Sequence, residues 1–276
     1  MVDLTTLSKA DEARRILREL DTVVVAFSGG VDSTLLLRLA QDSLGDRCVA
    51  VTAISPSLSE RERREAADLA RRIGARHLEI DSHELDRPDY VANGPTRCYH
   101  CKTELFEICF RTARDLGFSS VVYGATRDDV GEYRPGMNAA RERGVRAPLL
   151  EAGMGKADIR ALSHALDLPT ADKPALACLA SRIPFGTTVS EDRLHRIERA
   201  EDALRDLGFH DVRVRFHDEV ARIEVGAAEW TRFSDPELRR RIAAQVRGAG
   251  FRFVTLDMEP FRSGRLVEVQ AQTHDL

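Results

Sequence analysis

A β-branched, apolar run that leads directly into a glycine-rich loop is the feature that most constrains the fold. Residues 22–27 predict a buried strand, residues 28–33 read Ser-Gly-Gly-Val-Asp-Ser, and the leucine spacing that follows predicts a helix. In a sheet of parallel strands this loop lies at the carboxyl end of its strand, where α/β proteins bind ligands. The segment therefore predicts an α/β fold with a ligand site at this loop.

The alternation of strands and amphipathic helices continues to about residue 166. Buried strands are predicted at 48–54, 77–80 and 120–123, and helices at 58–73, 101–116 and 156–166. Parallel strands need helical crossovers, so this order predicts a parallel sheet covered by helices on both faces.

The order of predicted elements changes after residue 184. Strands are predicted at 187–189, 212–216, 221–225 and 251–256, and helices at 190–207 and 236–247. This β-α-β-β-α-β order is a ferredoxin-like arrangement. We therefore expect two domains, a larger α/β domain at 1–184 and a smaller α+β domain at 185–276, each with its own core.

The loop at 28–33 is suited to a pyrophosphate group. Its glycines let backbone amides approach an anion, the helix N-terminus adds its positive end, and Ser28 and Ser33 offer hydroxyl donors. It lacks the lysine of a Walker loop and the third glycine of a dinucleotide fingerprint, so kinases and dehydrogenases fit poorly. Asp32 is better suited to holding Mg²⁺ between phosphates than to binding phosphate. The alternative is a simple glycine turn with Asp32 as a helix cap.

The hexapeptide resembles the signature of the PP-loop ATP pyrophosphatases, a superfamily that includes NAD synthetase and tRNA thiolation enzymes. The resemblance implies an adenine nucleotide alpha hydrolase-like domain that cleaves ATP to AMP and pyrophosphate and forms an adenylated intermediate. It implies nucleotide contacts at Ala26, Ser28, Gly29, Gly30, Asp32, Ser33, Ala53 and Gly124. Asp128, in the loop after Gly124, is either a further site residue or only a solvated charge.

The cysteines indicate a metal or sulfur site. Five cysteines, in a chain without an apolar leader, argue for reduced thiols rather than a disulfide framework. Cys98 and Cys101 form a CxxC at a predicted helix start, and Cys178 lies in the interdomain segment. Three such thiols suit a 4Fe-4S cluster with one iron open. Cys48 and Cys109 fall in apolar runs and are expected in the core.

Three further segments resemble the LarE family of sulfur transferases, which build the nickel-pincer nucleotide cofactor of lactate racemase. They are RCYHCK at 97–102, CLASRIP at 178–184 and FRSG at 261–264. The resemblance implies adenylation of a carboxylate of pyridinium-3,5-biscarboxylic acid mononucleotide and its conversion to a thiocarboxylate. It implies one of two sulfur sources, the sacrificed sulfur of Cys178 or sulfide on a 4Fe-4S cluster held by Cys98, Cys101 and Cys178. Having all three cysteines, the chain resembles the cluster type.

The same resemblance identifies Cys178 and Asp32 as catalytic and implies a set of substrate contacts. The contacts are Ser181, Arg182, Glu201, Arg213, Arg215 and Arg262. Guanidinium groups suit such a substrate because they bind carboxylate and phosphate in a bidentate manner. A solvated sheet face is the alternative for Arg213 and Arg215, and an exposed helix charge is the alternative for Glu201.

Charge bears on the partners. The chain has 41 basic and 45 acidic residues and a formal net charge of -4, and neither half is a basic arm. No nucleic-acid partner is therefore expected, although a tRNA thiolation enzyme is the nearest alternative. Only four basic residues are lysines, at positions 9, 102, 156 and 173, and we attribute the excess of arginine to a GC-rich genome.

The remaining expectations concern location and assembly. Because no signal segment and no run of about 18 apolar residues is present, we expect a cytoplasmic protein without a membrane partner. We expect it to bind a small pyridinium nucleotide and a sulfide donor and to form a homo-oligomer. A non-catalytic iron-sulfur or zinc carrier would explain the cysteines but not the loop at 28–33.

Overall fold

The computed structural model describes residues 2–131, 135–174 and 177–262. The chain forms two compact units, the first comprising residues 1–90 and 95–176 and the second residues 91–94 and 177–276. The division falls a few residues before the domain boundary predicted after residue 184. Each unit contains its own sheet.

Helices and strands alternate along the first unit, as predicted. The helices of the described residues are α1 (Leu4–Glu19), α2 (Val31–Leu44), α3 (Glu60–Ile73), α4 (Pro88–Val91), α5 (Arg97–Leu116), α6 (Pro135–Glu142), α7 (Pro148–Glu151), α8 (Lys156–Ala165), α9 (Glu191–Asp206), α10 (Ala227–Trp230) and α11 (Pro236–Gly248). The strands are β1 (Val23–Ala26), β2 (Cys48–Ile54), β3 (Arg76–Asp81), β4 (Ser120–Tyr123), β5 (Val212–His217), β6 (Val220–Val225) and β7 (Phe253–Leu256). Within the described ranges, no helix has both the length and the hydropathy that a bilayer crossing requires.

The first sheet is parallel, with strand order β3-β2-β1-β4. β1 is central and all its residues are buried. Val23 and Val25 join the core cluster that contains residues of α1, α2 and α8. Val24 and Ala26 join the cluster formed with α5 and α6. The sheet is therefore covered on both faces, which confirms the predicted α/β class.

The register of this sheet positions the glycine-rich loop. Ala26, the last residue of β1, is level with Val51 on β2 and with Tyr123 on β4. The Phe27 N–H then donates to the Val51 carbonyl at 2.8 Å, which continues the pairing by one residue. The loop consequently leaves the sheet beside the ends of two neighbouring strands.

The second unit is a small α+β structure with a mixed sheet. Its strand order is β5-β6-β7, with β5 antiparallel and β7 parallel to β6. α9 packs on β5, and α9 packs on α11. The buried apolar residues of α9, among them Leu194, Ile197 and Leu204, recur at helical spacing. This confirms a smaller α+β region after the parallel-sheet domain.

The strand predicted at 187–189 is wrong. Val189 N–H donates to the Val91 carbonyl at 2.9 Å, and the Thr187 carbonyl accepts from Asn93 Nδ2 at 2.9 Å. Asn93 is buried, has a φ of 53°, and also donates to the Pro184 carbonyl at 2.8 Å. These hydrogen bonds use backbone groups of residues 187–189 that a strand would need for pairing. In the described part of the unit, the strand order is β5-β6-β7, so β7 lies beside β6. The ferredoxin-like order is therefore incomplete.

Candidate functional site

The loop between β1 and α2 has the geometry of an anion cradle. Gly29 has a φ of +67°, and a Cβ there would lie 3.1 Å from Cβ of Ala66 on α3, so a side chain would be strained at this turn. Gly30 is the N-cap of α2 and gives no side-chain hydrogen bond to the first-turn amides. Those amides, at the positive end of a helix of 14 residues, can receive a phosphate group.

The two serines of the loop lie side by side. Their Oγ atoms are 3.1 Å apart, and the Ser28 N–H points to Ser33 Oγ at 3.4 Å. Ser33 Oγ also donates to the Gly30 carbonyl at 3.2 Å. Ser28 is exposed and Ser33 is buried. The hydroxyl groups are thus held at the loop beside the first-turn amides of α2.

Asp32 forms an ion pair across the loop with Lys156. The Asp32 side chain is 22% exposed and that of Lys156 is 40% exposed, so water reaches both partners. Lys156 is the first residue of α8, and its backbone N–H donates to Asp128. Asp128 therefore caps α8 rather than being merely a solvated charge.

A second lysine reaches the same loop. Lys173 Nζ donates to the Gly29 carbonyl at 3.2 Å and pairs with Glu65 at 2.8 Å. Arg160 fixes the segment that carries this lysine by donating to the Lys173 carbonyl at 3.1 Å. Sequence reasoning did not assign Lys156 or Lys173 to the nucleotide. The available signal was that both are lysines in a chain whose other basic residues are nearly all arginine.

The ends of the neighbouring strands approach the same loop. Gly124 follows β4, and a Cβ there would lie 2.9 Å from Ser33 N and 3.0 Å from the carbonyl carbon of Asp32. Only glycine allows β4 to end so close to the first turn of α2. Ala26 is buried at the end of β1, and Ala53 is half-buried near the end of β2. The structure thus places the predicted nucleotide residues along one edge of the sheet.

In the second unit, Cys178 begins a short 3₁₀ turn over Leu179–Arg182 and is partly exposed. The Ser181 N–H donates to the Cys178 carbonyl at 2.9 Å. The Arg182 guanidinium donates to the same carbonyl at 2.9 Å and to Ser181 Oγ at 3.1 Å. One buried side chain therefore fixes the backbone that carries the Cys178 thiol.

Glu201 is the centre of a buried ionic cluster. Its carboxylate accepts two bonds from Arg182, at 2.8 and 3.0 Å, one from Arg205 at 2.8 Å and one from the Val214 N–H at 3.0 Å. Burial alone would raise the pKa of Glu201, but the charge and hydrogen bonds of Arg182, together with Arg205 and Arg213, lower it to about 2. Glu201 is fully buried, so the interpretation as an exposed helix charge is wrong.

The two strand arginines are also buried, and the alternative of a solvated sheet face is wrong. Arg215 pairs with Glu224 at 2.7 Å and donates to the Ser181 carbonyl at 3.1 Å. It therefore joins the 3₁₀ turn after Cys178 to the sheet. Ser181, Arg182, Glu201 and Arg215 lie in one connected network of hydrogen bonds.

Arg213 differs from Arg215 in its partners. It donates to the Val212 carbonyl at 2.8 Å, and its guanidinium carbon lies 4.8 Å from the centroid of the Phe261 ring. Burial, and then the neighbouring charge of Arg182, lowers the pKa of Arg213 from its usual value. A bound anion would relieve this unfavourable positive charge. Arg262 is exposed, whereas Ser263 and Gly264 of the FRSG segment lie outside the described residues.

The remaining cysteines divide into an accessible pair and a buried pair. Cys98 and Cys101 lie three residues apart at the start of α5 and so share a helix face. Cys98 is exposed, Cys101 is half-buried, and an Arg97 nitrogen lies 4.0 Å from Cys98 Sγ. Cys48 and Cys109 are buried in the two core clusters of the first unit, which confirms both as core residues, and burial raises the pKa of their thiols to about 12. In residues 2–131, 135–174 and 177–262, no group of three or more His, Cys, Asp or Glu side chains is placed to hold a metal ion.

Comparison with known proteins gives this geometry a family context. A family described as NAD synthase matches residues 15–92, which include the glycine-rich loop. A pyridinium-3,5-bisthiocarboxylic acid mononucleotide synthase of Lactiplantibacillus plantarum is 40% identical over 257 residues, covering 91% of this chain and 90% of that protein. The Synechocystis protein slr1717 is 42% identical over 262 residues, covering 95% and 98%. A tRNA-specific 2-thiouridylase of Azorhizobium caulinodans is 32% identical over 189 residues, covering 55% and 48%.

Proposed function

This chain belongs to the family of pyridinium-3,5-bisthiocarboxylic acid mononucleotide synthases, and we propose that it is an ATP-dependent sulfur transferase. Its substrate would be pyridinium-3,5-biscarboxylic acid mononucleotide, and its product the corresponding thiocarboxylate. The observation that carries the proposal is the glycine cradle at the carboxyl edge of a parallel sheet. That cradle occurs in a chain similar to the synthase along 91% of its length.

The first step would activate the carboxylate. The first-turn amides of α2 and the hydroxyls of Ser28 and Ser33 would hold the ATP phosphates, and Asp32 offers the hard oxygen ligand that Mg²⁺ prefers. Adenosine would lie beside Ala26, Ala53 and Gly124. A carboxylate oxygen of the substrate attacks the α-phosphorus, and the bond to pyrophosphate breaks. The resulting acyl adenylate is a competent electrophile because AMP is a good leaving group.

The second unit would hold the substrate. Arg213 is a buried guanidinium whose charge an anion would stabilise. We infer that Ser181, Arg213, Arg215 and Arg262 contact the substrate carboxylates and phosphate. Arg182 and Glu201 are engaged with each other and with the Cys178 loop, so in this arrangement they orient the site rather than reach the ligand. The carboxylate and phosphate groups of this substrate match the fork of a guanidinium.

The second step would deliver sulfur to the activated carbon. In one route the Cys178 thiolate displaces AMP to form a thioester. Loss of the Cα proton of Cys178 together with cleavage of its Cβ–Sγ bond then leaves the thiocarboxylate and dehydroalanine. In the other route Cys98, Cys101 and Cys178 would hold a 4Fe-4S cluster, which would supply sulfide to the activated carbon and leave the protein intact. The cluster route rests on the resemblance to the three-cysteine type, since the described residues show no metal-binding group of three. We propose the cluster route and keep the sacrificial route as its alternative.

The activation step is tested by supplying the pyridinium substrate, Mg²⁺ and ATP to anaerobically purified protein. We expect AMP, pyrophosphate and a product in which sulfur replaces oxygen by mass spectrometry. Asp32→Ala should abolish AMP formation with an unchanged circular dichroism spectrum. Arg38→Ala, which removes a charge further along α2, is the matched control and should stay active. Normal AMP formation by Asp32→Ala would overturn the loop assignment, and thiolated tRNA in place of a thiocarboxylate would overturn the substrate.

The sulfur source is tested by intact mass before and after one reaction cycle. Loss of the mass of H₂S from the chain identifies Cys178 as a sacrificed donor. Multiple turnovers with an unchanged chain mass, after anaerobic iron and sulfide reconstitution, support the cluster. Cys98→Ala should then lose iron and turnover together, whereas Cys109→Ala, which removes a buried thiol, should keep both. Full iron content and turnover in Cys98→Ala would exclude the three-cysteine cluster.

A further inference from the structure

We propose that Lys156 and Lys173 bind the pyrophosphate portion of ATP, and that Lys156 shields the metal-binding carboxylate of Asp32 until the nucleotide arrives. This inference rests on the proposed function and extends it to two residues outside the glycine-rich loop. It concerns the only two lysines that contact residues 28–33 in the described part of the chain.

The first argument is the position of Lys156. Its ammonium group is paired with Asp32, the residue of the loop best suited to Mg²⁺. A divalent cation and an ammonium group compete for the same carboxylate. When Mg²⁺ takes Asp32, Lys156 would lose this partner, and the phosphate oxygens that accompany the metal would be strong acceptors for its ammonium group.

The second argument is the position of Lys173. Its Nζ donates to the carbonyl of Gly29 and shares its charge with Glu65. A carbonyl of the loop is a weak partner for an ammonium group, and Glu65 is 47% exposed. Phosphate oxygens held by the amides of the same loop would be stronger acceptors, because both partners are then ionised.

The third argument is charge balance. The loop lacks the lysine of a Walker sequence and instead carries the negative charge of Asp32. Breaking the bond between AMP and pyrophosphate builds negative charge on the leaving group, which needs fixed cations. Lys156 and Lys173 are the cations that the fold brings to the loop from distant segments of the chain.

The fourth argument is the residue type. Lysine has three rotatable donors on a flexible stem and acts as a compact point charge, whereas arginine favours a fixed bidentate geometry. A side chain that leaves a carboxylate and then binds a phosphate group is therefore better a lysine than an arginine. Because Asp32 and Lys156 are 22% and 40% exposed, water and ions can replace a lost partner at little cost.

The test is calorimetric titration with inorganic pyrophosphate in the presence of Mg²⁺, followed by Mg²⁺ titration at fixed ATP. Lys156→Met and Lys173→Met should each weaken pyrophosphate binding by about 10- to 100-fold, the loss expected for one charge-assisted hydrogen bond. Arg38→Met, which removes a positive charge from α2 outside the loop, is the control and should bind like wild type. Of the two lysine variants, only Lys156→Met should also lower the Mg²⁺ concentration at half-saturation, because the ammonium group that competes with Mg²⁺ for Asp32 is gone.

Lys156→Arg sharpens the result. Arginine keeps the charge but can grip Asp32 with two bonds, so we expect a higher Mg²⁺ requirement than in wild type. If wild type binds neither ATP nor pyrophosphate, the proposed function itself fails. If wild type binds both and the two Lys→Met variants bind pyrophosphate as tightly as wild type does, only the lysine assignment is overturned. If the Mg²⁺ concentration at half-saturation is not lower in Lys156→Met than in wild type, the proposed replacement of Lys156 by Mg²⁺ at Asp32 is overturned.

Discussion

Asp32 and Glu201 each centre a charge cluster, and the two clusters differ most in their contact with water. Asp32 and its partner Lys156 are 22% and 40% exposed, whereas the side chains of Glu201 and Arg182 are 0% and 2% exposed. A partner lost from the first cluster is replaced by water or ions. A partner lost from the second leaves an uncompensated buried charge. The first cluster is therefore suited to exchange with a ligand, and the second to holding the Cys178 loop in one conformation.

The strongest test of this contrast is Glu201→Gln. The change leaves the buried Arg182 without its carboxylate partner, removes one of the two carboxylates that pair with the partly buried Arg205, and places an amide donor beside guanidinium donors. We expect the free energy of unfolding to fall by about 3–5 kcal/mol. Urea titration followed by the fluorescence of Trp230, the single tryptophan of the chain and a residue of the second unit, measures the loss.

Glu237→Gln is the matched control for that variant. Glu237 pairs with Arg240 on α11, where the two side chains are 62% and 76% exposed. The same chemical change should therefore cost less than about 1 kcal/mol. Equal losses in the two variants would mean that Glu201 is not a buried ionic centre.

Acid titration distinguishes the contribution of the Glu201 charge to the free energy of unfolding from the contribution of its packing. The pKa of Glu201 in the folded chain is lowered from its ordinary value of 4.5 to about 2. Its stabilisation is therefore complete above about pH 4.5 and is lost as the pH falls toward about 2. The difference in unfolding free energy between wild type and Glu201→Gln should shrink over that range. A difference that stays constant down to the acid end would show that packing, not charge, is responsible.

The sequence predicted the loop that carries Asp32 better than it predicted the surroundings of Glu201. The strand, loop and helix around residues 28–33 are contiguous, so local pattern and steric rules suffice. Glu201 was open to interpretation as a solvated charge, although it lies four residues after Ile197 and seven after Leu194, on the apolar face of α9. A carboxylate on that face must have partners. Its spacing was therefore an available signal, while the identity of Arg182 as partner was not.

Long-range contacts account for the other differences. Lys156 and Lys173 reach the loop from 124 and 144 residues away in the chain, and no local pattern encodes such a contact. The strand expected at 187–189 has suitable residues, but Asn93, from nearly a hundred residues earlier, donates to the Thr187 carbonyl, and the Val189 N–H donates to the Val91 carbonyl. Tertiary hydrogen bonds thus override a propensity that is only weakly determined in a short segment.

Asp32→Asn makes the same carboxylate-to-amide change as Glu201→Gln, but in the exposed cluster of Asp32 and Lys156. Because its partner Lys156 is 40% exposed, we expect the free energy of unfolding to change by less than about 1 kcal/mol. Urea titration followed by circular dichroism measures it, with Asp42→Asn at the other exposed ion pair of α2 as the control. A loss as large as that of Glu201→Gln would break the distinction between the two clusters.

Glu65→Gln should have the smallest effect. Glu65 is 47% exposed and pairs with Lys173, whose side chain is 18% exposed, so its removal should change the free energy of unfolding by about 0.5 kcal/mol or less. Since Lys173 would no longer share its charge with a carboxylate, pyrophosphate binding should be unchanged or slightly tighter. Urea titration and calorimetry measure the two quantities on the same preparation. If Glu65→Gln instead weakens pyrophosphate binding as strongly as Lys173→Met, Glu65 is needed to orient the lysine. The contacts of Lys173 with the loop would then need a fixed geometry, as the contacts of Glu201 do, although Glu65 is exposed.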